Sequence, residues 1–129
     1  MSTPAVDIQT EADIKLLIDS FYEKVNQDEL LAPIFNTVAH VNWAAHLPNM
    51  YDFWSSLLLG TRRYRGRPFP KHLPLPVDAT HFQRWLVLFR ATVDEHFIGP
   101  KADEAKQRAL SIATVFEYRI RQYNSLSIL

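Results

Sequence analysis

No cysteine occurs in this chain. Disulfides, thiolate metal sites, iron–sulfur clusters and cysteine nucleophiles are therefore excluded. Glycine is scarce, at three residues in 129. Neither GxGxxG nor GxxxxGK(S/T) is present, so a phosphate-cradling loop has no support. Neither sign of charge dominates, with 14 basic residues against 14 acidic ones. That balance argues against nucleic acid or an anionic membrane as the main partner. No apolar run approaches the roughly 18–20 residues that span a bilayer. The N-terminus lacks a basic start followed by an apolar stretch, so no secretory signal is visible and a cytoplasmic location is expected. Catalytic signatures are missing too. There is no HExxH, no ExxH pair on facing helices, no nucleophile-elbow serine and no outstanding carboxylate pair.

What is there is apolar and aromatic. Hydrophobic residues make up 47% of the chain, with eight Phe, five Tyr and three Trp. This length suits a single domain with one core. Residues 1–129 are read as that domain, with 1–9 as a flexible arm and 124–129 as a tail. So many rings in so short a chain fill a core or line a flat apolar pocket.

The apolar spacing is helical throughout. Thr10 and Asp13 form a capping box ahead of Ile14, Leu17, Ile18, Phe21, Tyr22 and Val25, which predicts a helix over roughly 11–26. Asp28 is expected to cap a short helix over 29–35, bent near Pro33. Asn42 opens a third helix with Trp43, Leu47, Met50, Trp54, Leu57 and Leu58 on one face. Pro48 should kink or break it, and Gly60 should end it. Thr80 and Gln83 read as a second capping box, opening a helix that Gly99-Pro100 breaks. A last helix follows to about Tyr123. The sum is an all-α chain of about five helices, interrupted by a proline-rich segment at 60–79.

That segment holds the most suggestive histidine. Of His40, His46, His72, His81 and His96, only His72 follows a basic run and precedes Leu-Pro-Leu-Pro. Haem requires a strong nitrogen ligand, an apolar slot and cations for two propionates. Lys71 is adjacent, and Arg62, Arg63, Arg65 and Arg67 lie upstream. A proline- and arginine-rich loop is more often simply a solvated surface, and spacing alone does not decide between these readings. Tyr22, His46 and Trp85 bring three hydrogen-bond donors to apolar helix faces. Core packing explains each one singly. Together they suit a ligand that gains negative charge.

The order of segments resembles a known family. FYEKV at 21–25, LLAPIFN at 30–36, HLPNMYDFWSSLLLG at 46–60, YRGRPFPKHLPLP at 64–76 and HFQRWLVLF at 81–89 are similar to the truncated globins, and to their group III. The resemblance spans roughly 10–123 and implies a two-over-two helical sandwich around haem b. It implies His72 as proximal iron ligand and Tyr22, His46 and Trp85 as the distal set. Phe35, Met50, Phe53, Trp54 and Phe89 are implied as pocket residues, with Arg63 and Lys71 at the propionates. Pro48, two residues after His46, departs from the family pattern, as does Met50 where a branched aliphatic is common.

The function implied is reversible binding of dioxygen, or of carbon monoxide or nitric oxide, by a monomer. A second reading is a haem enzyme that dioxygenates nitric oxide or uses peroxide, served by a separate reductase. A third is a haem-free helical interaction module.

Overall fold

The computed structural model describes residues 5–72 and 75–128, with the backbone alone at 71 and 125–128. Four α-helices carry the fold: α1 (Glu11–Gln27), α2 (Trp43–Leu59), α3 (Ala79–His96) and α4 (Pro100–Ile128). A wide turn at Ile34–Val38 and a tight one at Pro70–His72 fill the connections. Helix α1 packs on α2 and α3, and α3 packs on α4.

Helix α1 follows its sequence pattern closely. Thr10 accepts from the Asp13 backbone N–H, and the Asp13 carboxylate accepts from the Thr10 N–H. Each satisfies a donor that the first turn would otherwise leave unpaired. Ile14, Leu17, Ile18 and Val25 are fully buried, and Phe21 nearly so. Full burial of each such side chain contributes about 1.5–3 kcal/mol of transfer free energy.

At the other end of the chain, α4 carries Ala102, Ala105, Ala109 and Ala113 along one buried stripe. Small side chains there let its backbone come close to α3. Its N-terminus is capped from a distance. The Asp7 carboxylate accepts from the backbone N–H groups of Lys101 and Ala102, at 2.9 and 2.8 Å. Burial pushes the Asp7 carboxyl up, but those N–H groups outweigh it and hold it below the usual range. The close approach needs Gly99 (φ 142°), where a Cβ would fall 2.5 Å from the Asp7 carboxyl carbon. Val6 also bridges to Phe97, and Ile8 is buried. The described part of the segment read as an arm, 5–9, is thus tied to α3 and α4.

Other boundaries depart from the sequence reading. Helix α4 continues to Ile128, because nothing in 124–128 breaks it. The short helix expected at 29–35 is instead a turn followed by the wide helical turn at 34–38. Asp28 does cap this connection, accepting from the N–H groups of Leu30 and Leu31. Pro48 does not break α2, which runs unbroken through it. Proline removes only one N–H, and the surrounding turns keep theirs. Gly60 ends α2 in the left-handed region (φ 70°), as its position predicts. The cap of α3 is Asp78, not Thr80. The Asp78 carboxylate accepts from the Thr80 N–H, which places Thr80 inside the first turn.

Candidate functional site

A cavity of about 360 Å³ lies between α1, the 31–41 connection, α2, residues 64–72 and 75–77, and the facing parts of α3 and α4. This volume is within the roughly 300–1,000 Å³ of cofactor sites. Most of the lining is apolar, and Tyr22, His46, His72, His81 and Trp85 bring polar atoms to it.

On one side stands a cluster of rings. Tyr22 of α1 meets Phe35, Trp43 and His46 with centroids 5.8, 5.3 and 5.2 Å away. Three chain segments supply these rings, and their edge-to-face contacts are the favoured aromatic geometry. Burial pushes the Tyr22 hydroxyl far above the ordinary phenol range. It is therefore a neutral O–H at any physiological pH.

On the other side, His72 closes the tight turn. Its backbone N–H donates to Phe69 O at 2.8 Å. Its Nδ1 lies 2.7 Å from Pro68 O. A carbonyl oxygen only accepts, so the proton of this bond sits on Nδ1 and the lone pair on Nε2. Such a contact fixes both tautomer and ring direction for a metal ligand. The His72 ring rests on Phe116 of α4, with centroids 4.9 Å apart. Phe69 is buried against the same Phe116, and Arg119 lies 4.0 Å over its ring. The proline-rich loop is thereby anchored to α4 by a side chain next to the turn it must hold.

The residues singled out in the sequence divide accordingly. Tyr22, Phe35, His46, Met50, Phe53, Trp54, His72 and Trp85 all line the cavity. Phe89 does not; it is fully buried behind Trp85, stacked on it at 5.5 Å, and belongs to the core. Arg63 is also elsewhere. It pairs with Glu11 in the first turn of α1 and borders a separate groove between α1 and α2. Arg63, expected at a propionate, does not line the cavity, and its guanidinium pairs with a carboxylate 52 positions away in sequence. The Lys71 side chain lies outside the described residues.

Sequence reasoning missed three contributors. Phe116, on the last helix, faces His72, and its place in the apolar stripe of α4 gave no hint of a site. His81 lines the cavity while its Nδ1 contacts the α3 cap residue Asp78. Trp43 stacks on Phe35 and meets His46 edge-on. The spacing of Trp43 and His46, three residues apart on one helix, was the available signal for the last.

Comparison with known proteins agrees with this geometry. A family model described as bacterial-like globin matches residues 7–119. The chain is 34% identical to the group 3 truncated hemoglobin of Campylobacter jejuni over 117 residues, which is 88% of this chain and 92% of that protein. The chain belongs to the truncated haemoglobins, in their group III. The fold of this truncated globin matches the crystal structure of group III truncated hemoglobin from Campylobacter jejuni with a TM-score of 0.80. That match covers 91% of this chain and 95% of the other, at 32% identity. A group 1 truncated hemoglobin of Nostoc commune is 31% identical over 83 residues, covering 64% of this chain and 68% of that one.

Membership of a globin family implies haem, and the donor set here fits it. An imidazole with its Nδ1 proton held by a carbonyl opens onto an apolar cavity, as the proximal side of a haem requires. Among the described residues, no group of three or more His, Cys, Asp or Glu side chains could hold a bare metal ion instead. None of the described helices is long and apolar enough to cross a membrane.

Proposed function

We propose that the chain holds one haem b in this cavity, ligated through Nε2 of His72, and reversibly binds dioxygen or another diatomic molecule. The observation that carries the reading is that His72 and Tyr22, from opposite sides of the fold, line the same apolar cavity. When bound, haem supplies a ferrous iron whose open position accepts a diatomic ligand. His72 fixes the iron side: its turn and its Nδ1 bond to Pro68 O set where Nε2 points. Tyr22 serves the ligand side as a hydroxyl that burial keeps protonated, so it donates without changing charge. His46 and the Trp85 indole line the same space and add N–H groups. Apolar neighbours such as Phe35, Met50 and Phe53 exclude water, which strengthens each donor. The protein acts as a cytoplasmic monomer and depends on a separate reductase to keep its iron ferrous.

Visible spectra of the oxidised, reduced and carbon monoxide-bound forms test this reading. A Soret band that shifts on reduction and again with carbon monoxide is expected. A chain that stays colourless after haem is added would overturn it. Three donors around one cavity also favour a second reading, in which dioxygen is held tightly enough to react with nitric oxide. Slow dioxygen release with turnover of nitric oxide supports that enzyme; fast release without turnover supports a carrier.

A further inference from the structure

Trp43 does not line the cavity, yet it touches three of the rings that do. Its indole stacks on Phe35, with centroids 5.8 Å apart and the planes 23° from parallel. The same indole meets Tyr22 at 5.3 Å and His46 at 5.5 Å, the latter nearly perpendicular. Its N–H donates to Asn36 Oδ1 at 2.8 Å. Asn36 in turn donates through Nδ2 to Asn26 Oδ1 at 2.9 Å and to Ala32 O at 3.1 Å. Donor and acceptor roles in this chain are not a matter of choice. An indole N–H only donates and a backbone carbonyl only accepts, so the Asn36 amide has one orientation that satisfies both.

The consequence is a tie across three elements. Asn26 lies in the last turn of α1, Asn36 in the wide turn, and Trp43 is the first residue of α2. The Asn42 side chain makes no capping bond to α2. An uncapped helix start frays readily, and His46 sits within this first turn. We infer that Trp43, held by Asn36, is a positioning residue that keeps His46 turned toward Tyr22 inside the cavity. The inference rests on the functional reading above, since it gives His46 a part on the ligand side.

Haem-loaded protein bound to carbon monoxide gives two readouts: the C–O stretching band and the bimolecular association rate. Trp43→Phe keeps a ring but loses the N–H; Asn36→Ala, at an exposed residue, cuts the tie and leaves the indole. Both should split or shift the C–O band and speed association about three- to tenfold, the factor carried by one net hydrogen bond. The double variant should add little to either single one. In a His46→Leu background, Trp43→Phe should move neither readout, because its effect runs through His46. A loss of stability alone would not vanish in that background. An unchanged band and rate in both single variants would overturn the inference, as would an effect that persists without His46. The wild-type carbonmonoxy spectrum judges haem binding by itself, so failure of the functional reading is seen separately.

Discussion

The two sides of the cavity are held by different means. The Tyr22 side is helical and interlocked: four rings from α1, the wide turn and α2 contact one another. The His72 side is a loop fixed to the helices at separate points: Phe69 and His72 on Phe116 of α4, and Tyr64 on Phe53 of α2. Interlocked rings share their packing, so losing one leaves the others in place. A loop held at separated points loses the local geometry of whichever point goes. The His72 side should therefore be the more fragile of the two to single substitutions.

Substitutions can break or sharpen this contrast. Phe89 stands behind the helical side, stacked on Trp54 and Trp85 and edge-on to Phe21. Phe89→Ala should lower stability by about 3–5 kcal/mol in urea unfolding, the range for a fully buried phenylalanine. This largest effect would fall on the core behind the helical side. Phe69→Ala should cost about 3 kcal/mol. Its distinguishing effect should be faster haem loss with little change in the C–O band, since the ligand side is untouched. An equal disturbance of both sides would remove the contrast.

Asp28 tests the helical side. Its buried carboxylate accepts from Leu30 N–H, Leu31 N–H and Arg84 Nε, the last at 2.6 Å. Burial pushes the Asp28 carboxyl up, but Arg84 and the backbone donors outweigh it and hold it below the usual range. A depressed folded value contributes stability above the ordinary carboxylate pKa of about 4. That stability fades as pH falls toward the folded value. Asp28→Asn should flatten this acid limb of a stability–pH profile and cost about 1.5–3 kcal/mol at neutral pH. The smallest effect belongs to the joint between the two sides. Gly60→Ala meets no atom within 4 Å, so it should cost only the left-handed backbone penalty, about 1–2 kcal/mol in thermal or urea unfolding.

The same division governs how much could be read from sequence. Local chemistry was legible: the Thr10–Asp13 box, the Gly60 stop and the Gly99-Pro100 break all rest on neighbours within a few residues. Where two local motifs overlap, the choice was not. Asp78 with His81 and Thr80 with Gln83 are both plausible caps, and the Asp78 carboxylate wins the Thr80 N–H. Side chains that meet across the fold were hidden altogether. Arg63 stood out only as part of a basic run, and its partner Glu11, far off in sequence, was not visible there. Phe116 and Trp43 looked like ordinary apolar positions because the partners that give them meaning, His72 and Asn36, lie on other elements. Tyr22, His46 and His72 were brought forward by family order. The helical periodicity explains the burial of Tyr22, and not the convergence of all three on one cavity.

The central claim is that His72 binds haem iron from the loop side of the cavity. It is tested most directly by adding haem to His72→Gly protein, with and without free imidazole, and recording the visible spectrum of the ferrous form. The wild type should show a five-coordinate, histidine-type spectrum. The variant should lose it, and imidazole, filling the space left by the missing ring, should restore it. A His72→Gly spectrum identical to that of the wild type without imidazole would contradict the account.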